Sequence, residues 1–307
     1  MIVIERDWER YKSIDRSRRR QNNIAVHAGG VKGARLRTMA KLKVKASGKP
    51  YRVSDKWAKT NVMLRDEGLR GYIPSTRKLS RLSLHNLLHS HQMVYVKPTY
   101  GSLGRGVMRV EKHSPGEYSY QLGGDFKTFR SFDGLYHSLK KDTLGKSYLV
   151  QRGVHLLKYE GRRFDLRVVV QRAPQGGWEM TGVVARIAHP EKIVTNGSQG
   201  GSILTAEQVL SAHMGPSQQG ALWKRLENIG ISTIKRLHRK YPRLNEIGLD
   251  VAIDNQHRPW ILEVNTTPDH CPFAILPDQS MIRRIVDYGS KYGRHYRLNC
   301  FKAKNTL

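Results

Sequence analysis

GLDVAIDNQHRPWILEVN, residues 248–265, sets two apolar runs around a polar turn. Leu249, Val251 and Ile253 on one side and Ile261, Leu262 and Val264 on the other predict a buried β-hairpin. If Asp254 pairs with Pro259, Asp250 falls opposite Glu263, and Asn265 projects on the same face as Glu263. Like charges directly opposite destabilise a sheet unless something neutralises them. Two carboxylates and an amide oxygen are a hard-oxygen set that Mg2+ accepts alongside phosphate oxygens. The competing reading is a solvated hairpin face carrying unrelated acids, against which the apolar flanks argue.

Outward from this hairpin, the chain divides into an appendage and two units. Residues 1–50 are polar and basic, with RSRRR at 16–20 and KLKVKASGK at 41–49, and read as a solvated arm with one strand from Gly33 to Val44. The folded body starts at SDKWAKTNVML, where Ser54 or Asp55 caps a helix. A short helix at 83–90, the strand MVYVKP, a glycine-rich tip, the strand VMRVE, YSYQL at 118–122, a helix at 131–141 and the strand SYLVQRG make a unit ending at residue 153. Residues 154–307 make a second, from the strands FDLRVVVQ and WEMTGVVARIA, helices at 206–212 and 217–241, the hairpin, and a helix at 279–291. The class is α+β, with two units placed to grip something between them.

Composition narrows the partners. The chain carries 54 Lys and Arg against 25 Asp and Glu, a formal net charge of +29, and such a field attracts polyanions. No apolar run reaches the roughly 20 residues of a membrane span, and the N-terminus has no signal-peptide pattern, so a cytoplasmic protein is expected. Cys271 and Cys300 lack a metal-ligand spacing and read as ordinary thiols in a reducing compartment.

GSLGRG at 101–106 lies between two strands and is neither a Walker A loop nor a dinucleotide fingerprint, both of which open into a helix. Gly101, Gly104 and Gly106 let backbone N–H groups approach phosphate, and Ser102 adds a hydroxyl. Lys97 in the preceding strand calls for an anionic partner. Lys56 and Lys59 on the first helix read as solvent-facing. In FDLR, Asp165 and Arg167 share a strand face, with Arg186 on the next strand within reach. Asn196 stands in the glycine-rich loop TNGSQGGS.

This order of motifs resembles the ATP-grasp superfamily, and SDKWAKTNVML, KPTYGSLGRGV, FDLRVVVQ, TNGSQGG and EVNTTPDH resemble its YheC/YheD-type, endospore coat-associated members over about 50–290. The resemblance implies ATP held between two α+β subdomains, with Lys56, Lys97 and the 101–106 loop on the phosphates and Gln151, Arg152 and Val154 at the adenine hinge. It implies Mg2+ on Asp250, Glu263 and Asn265, with two ions expected and Mn2+ able to substitute. Arg167 would then stabilise the transferring phosphoryl group, supported by Arg186 and Asn196. Two departures stand out: Leu156, Leu157 and Lys158 occupy the neighbourhood of the usual ribose-binding Glu, and no full domain precedes the ATP-grasp unit. The implied activity is an ADP-forming ligase that joins a carboxylate to an amine or thiol through an acyl phosphate, with an acidic peptide or protein as a candidate substrate. The alternatives are a nucleotide-binding structural protein of the spore coat and a nucleic-acid-binding module, for which no RNA or DNA motif speaks.

Overall fold

The computed structural model describes residues 51–189, 201–298 and Cys300. The chain opens with α1 (Lys56–Leu64) and the single turn α2 (Glu67–Arg70). A first antiparallel sheet contains β1 (Thr76–Lys78), β2 (Met93–Pro98), β3 (Met108–Ser114), β4 (Glu117–Leu122), β5 (Asp125–Phe129) and β6 (Tyr148–Arg152), in the order β1-β6-β2-β3-β4-β5. Helices α3 (Arg81–His91) and α4 (Phe132–Thr143) supply Leu84, Leu88, Leu135 and Leu139 to its core.

A second antiparallel sheet runs β10-β9-β8-β11-β12, with β7 (Lys158–Tyr159) paired to β8. Its strands are β8 (Arg162–Arg172), β9 (Trp178–Ile187), β10 (Ser202–Thr205), β11 (Glu246–Ile253) and β12 (Pro259–Asn265). It is buried on both faces. Phe164, Leu166, Val168 and Val170 of β8 face α5 (Ala206–Ser211) and α6 (Pro216–Lys240), while Val169 packs with α7 (Cys271–Ala274) and α8 (Ser280–Lys291). This explains the near-continuous apolar run of FDLRVVVQ. It also puts Asp165 and Arg167 on the same face as Val169, where both are buried.

Local chemistry sets the helix starts. Asp55 Oδ1 accepts from Ala58 N at 2.9 Å, and Ser80 with Ser83 forms a capping box that starts α3 at Arg81, two residues before the expected 83. Ser131 Oγ accepts from Gly134 N at 3.1 Å at the start of α4. The expected strands and long helices are present, and β1, β5, β7, β10, α2 and α7 are additional. β5 is an edge strand whose residues are mostly exposed, so DFKTF carries no apolar alternation to announce it.

Two expectations change. Cys271 and Cys300 are joined in a disulfide, not left as free thiols; their Cα atoms lie 5.2 Å apart because α8 returns the chain past α7. Val62, Met63, Leu69 and Ile73 pack into the core of the second sheet. By packing, α1 and α2 therefore go with the residues after 153 and not with the sheet that carries Lys97. The Gly33–Val44 strand lies outside the described residues.

Gly230 marks the contact of α6 with β8, where an added Cβ would stand 2.7 Å from Val170 Cγ2. Alanine gains roughly 1 kcal/mol of helix propensity over glycine, but overpacking a fixed core costs about 1 to 3 kcal/mol. Gly230→Ala is expected to lower the denaturation midpoint; a raised midpoint would show that α6 moves freely on the sheet.

Candidate active site

The β11–β12 hairpin pairs Ile253 with Pro259, one residue off the expected Asp254 register at the turn. A bulge between Asp250 and Val251 restores the offset, and Asp250 does stand opposite Glu263, with Asn265 opposite Gly248. Asp254 is drawn into the turn instead, accepting from the backbone of Gln256 and Arg258 and from Trp260 Nε1.

Relief of the facing carboxylates comes from arginine. Asp250 is cross-strand partner to Arg167, and Asp165 to Arg186. Arg167 Nε donates to Asp250 Oδ1 at 2.7 Å, and Arg186 reaches Asp250 Oδ2 at 3.0 Å. Arg186 also grips Asp165 with two bonds, at 2.7 and 2.6 Å. All four side chains are buried, and their formal charges cancel. Burial pushes the Asp250 carboxyl up, but Arg167 and then Arg186 outweigh it and hold it below the usual carboxylate range. Burial opposes the charge on Arg186 too, and Asp165 and Asp250 overcome it.

The cleft between the sheets lies beside this cluster and is strongly cationic. Lys56, Lys59 and Lys97 line it together with Glu263, Thr76 and Gln151. Lys56 Nζ stands 3.6 Å from Glu263 and donates to Gly101 O at 2.6 Å. Lys97 Nζ donates to Gln151 Oε1 at 2.6 Å, and Lys59 Nζ to Val53 O at 2.9 Å. Burial lowers both Lys59 and Lys97 to about 8, against the opposing pull of Glu263. Three ammonium groups thus converge on one carboxylate, an arrangement that an anion would complete.

The glycine-rich loop connects β2 and β3 as a hairpin tip. Gly106 has φ +72°, and a Cβ there would meet the Tyr148 hydroxyl at 3.0 Å and Pro98 Cγ at 3.1 Å. Gly101 and Gly104 also take positive φ, while Ser102 at the tip is exposed. The base of the loop is fastened to α1: Lys56 N donates to Thr99 O at 3.0 Å, and the Tyr100 hydroxyl to Asp55 Oδ2 at 3.0 Å.

The expected hinge residues behave differently. Both ends of the Gln151 amide are engaged, by Lys97 and by Thr76 Oγ1 at 3.1 Å, so it is not presented to a base as expected. Arg152 lies over the Trp260 ring at 5.0 Å, and Val154 packs with Ala252 and Trp260. Asn196 lies outside the described residues. Lys56 and Lys59 face the cleft and not solvent. By residue type Lys59 reads as solvent-facing, although Val62 and Met63 at i+3 and i+4 place it on the buried face of α1.

Among the described residues, no three His, Cys, Asp or Glu side chains cluster to hold a metal by themselves. Each Asp250 oxygen accepts one arginine bond and keeps a lone pair, and Asn265 and Glu263 add oxygen ligands beside it. This donor set fits a hard cation that brings further ligands with it, as Mg2+ does when bound to phosphate.

Residues 49–295 match the YheC/D like ATP-grasp family. The chain belongs to that family. The ATP-grasp superfamily includes ATP-dependent ligases. Two Bacillus subtilis (strain 168) proteins are similar: endospore coat-associated protein YheD, 26% identical over 72% of this chain and 49% of its own length, and endospore coat-associated protein YheC, 28% identical over 70% and 60%. The chain thus spans about half the length of these curated relatives. Among solved structures, the D-alanine-D-alanine ligase from Coxiella burnetii shares 13% identity at a TM-score of 0.45, covering 76% of this chain and 56% of that one. The ADP complex of PurK, N5-carboxyaminoimidazole ribonucleotide synthetase, shares 13% at 0.42, covering 75% and 49%. Among the described residues no helix is long and apolar enough to cross a membrane.

Removing Arg186 leaves two buried carboxylates short of a partner. Arg186→Met is expected to cost about 3 to 5 kcal/mol in denaturant unfolding, and Asp165→Asn combined with it should recover part of the loss. The lysines set a pH dependence. Folded Lys59 and Lys97 titrate at about 8, below the usual lysine value of 10.5, so the unfolded chain binds more protons between those limits. Their cost is fully present below about pH 8 and is relieved as pH rises towards 10.5. Stability of the ligand-free protein should rise across that window, and Lys97→Met should flatten the rise.

Proposed function

We propose that this chain is an ATP-dependent ligase that joins a carboxylate to an amine, or to a thiol, through an acyl phosphate. The observation that carries the reading is the convergence of Lys56, Lys59 and Lys97 on a cleft whose sole lining carboxylate among the described residues is Glu263, a net cationic setting suited to a polyphosphate. Lys97 and Lys56 hold the phosphates, and backbone N–H groups of the 101–106 loop, with Ser102, cover them.

The chemistry needs no side-chain nucleophile. The substrate carboxylate oxygen attacks the γ-phosphorus, and the bond to the ADP oxygen breaks. The amine nitrogen or thiol sulfur then attacks the acyl carbon, inorganic phosphate leaves, and the nucleophile's proton is lost to solvent. Arg167 exchanges its bond to Asp250 for the phosphoryl group in flight, and Arg186 keeps Asp250 oriented while it does so. Asp250, Glu263 and Asn265 would hold Mg2+, or Mn2+ in its place, with room for a second ion supplied by the phosphates. The metal, when bound, neutralises charge building on the leaving diphosphate. The adenine would rest against the backbone near Arg152 and Val154, and Asn196 would support the acyl phosphate. An acidic peptide or protein is the carboxylate donor best matched to a chain of net charge +29.

A second reading is favoured by the names of the relatives: a coat-associated structural protein that binds nucleotide without turning it over, in the cytoplasm or on the developing spore coat. Turnover separates the two. Incubated with ATP, Mg2+ and pools of carboxylates and amines or acidic peptides, the protein should release ADP above an Asp250→Asn, Glu263→Gln control. Nucleotide binding without ADP from any pool supports the structural reading, and absence of both removes the nucleotide site. Lys97→Met is expected to weaken ATP binding by at least about tenfold in calorimetry.

A further inference from the structure

Outside the cleft, a groove runs between α6 and the segment that contains α2. Gly68, Leu69 and Tyr72 form one wall, and Ala221, Lys224, Arg225, Asn228, Ile229 and Ser232 the other. It is open to solvent and has a volume of ≈ 380 Å³, room for more than a single ion. Leu69 and Ile229 are buried in its floor. On α6, Lys224, Asn228, Ser232, Lys235 and Arg239 follow one another at three- and four-residue steps and form a single exposed stripe. The helix carries Lys224, Arg225, Lys235, Arg236, Arg239 and Lys240 against Glu227 alone. Among the described residues, no acid pairs with Lys224, Arg225, Lys235 or Arg239. Unpaired cations beside an apolar floor are an arrangement that neither core packing nor the cleft uses.

We propose that this groove docks an extended acidic peptide segment of a partner protein, with carboxylates on Lys224 and Arg225 and, just past the end of the groove on the same helix face, on Lys235, and apolar side chains between them against Tyr72 and Ala221. Residues 224 and 235 are about 16 Å apart along the helix axis, a span that about five residues of extended chain cover. The ligand is therefore two acidic positions about five residues apart with apolar residues between them. Nucleic acid fits less well: the cations of the stripe stand at its two ends with uncharged Asn228 and Ser232 between them, whereas a continuous phosphate backbone needs cations along its path. The far wall also reaches the cleft, since Tyr72 O accepts from Ile261 N on β12 at 2.7 Å, two residues before Glu263. The docking is argued from groove chemistry alone and does not depend on the ligase reading.

The test is fluorescence anisotropy with a labelled peptide bearing Glu pairs five residues apart and leucines between, in the full chain, at low ionic strength and without ATP. Binding should weaken steeply with salt and drop at least about tenfold in Lys224→Glu, Arg225→Glu, and again on adding Lys235→Glu. These side chains are exposed, so unchanged thermal melting and circular dichroism show that the variants are folded. A peptide with Glu replaced by Gln should not bind. Equal binding by wild type and the Lys224→Glu, Arg225→Glu variant, tighter binding of a single-stranded oligonucleotide of the same charge, or no peptide binding to wild type would each overturn the proposal. Because ATP is absent throughout, an inactive cleft leaves the readout untouched.

Discussion

Four alternating charges on three adjacent strands, Asp165, Arg186, Asp250 and Arg167, hold the second sheet together where apolar packing gives out. Taking such groups from water is costly, and the cost is recovered only if every charge finds an opposite one at hydrogen-bond distance. The antiparallel register supplies this: each arginine stands cross-strand from one aspartate, and Arg186 reaches both. A shift of one residue in β8 would turn both its charges into the apolar core of α5 and α6. The ladder therefore fixes strand register as well as charge.

Its second effect is to keep Asp250 ionised inside the protein. A lone buried carboxylate would protonate, losing its ability to accept from arginine or bind a cation. Next to it, the cleft is biased the opposite way, with lysines that give up protons more readily than usual because their charges are crowded and desolvated. A neutralised acid pair beside an under-neutralised base cluster produces a local gradient that favours a polyanion over a neutral guest.

Much of this was legible in the sequence because it rests on alternation. Asp250 opposite Glu263 follows from two apolar runs and a turn, and the nearness of Asp165, Arg167 and Arg186 follows from strand period and antiparallel order. The register at the turn did not, since the extra residue of the bulge, Leu262, is as apolar as the strand around it and leaves no mark in residue type. Lys59 escaped notice because a lysine usually signals solvent, and only its spacing from Val62 and Met63 indicates otherwise. Gln151 could be placed on a strand end, but which partner its amide chooses depends on Thr76, brought in by a three-residue strand far away in sequence. The cysteine pair, too, was decided by the path of α8 and not by spacing.

The way α1 is fastened has a mechanical consequence. Its core contacts lie with the second sheet, yet Lys56 N, Lys56 Nζ and Asp55 bind the backbone and side chain of Thr99, Gly101 and Tyr100 at the base of the loop on the first. The other joint is the paired crossover at 73–76 and 153–157, where Arg152 N holds Ser75 O, Gly153 N holds Met93 O and Leu157 N holds Ile253 O. Two bodies pinned at two separated points keep one easy degree of freedom, rotation about the line through the pins. Opening by translation would break both joints at once, so the walls of the cleft can tilt but not part.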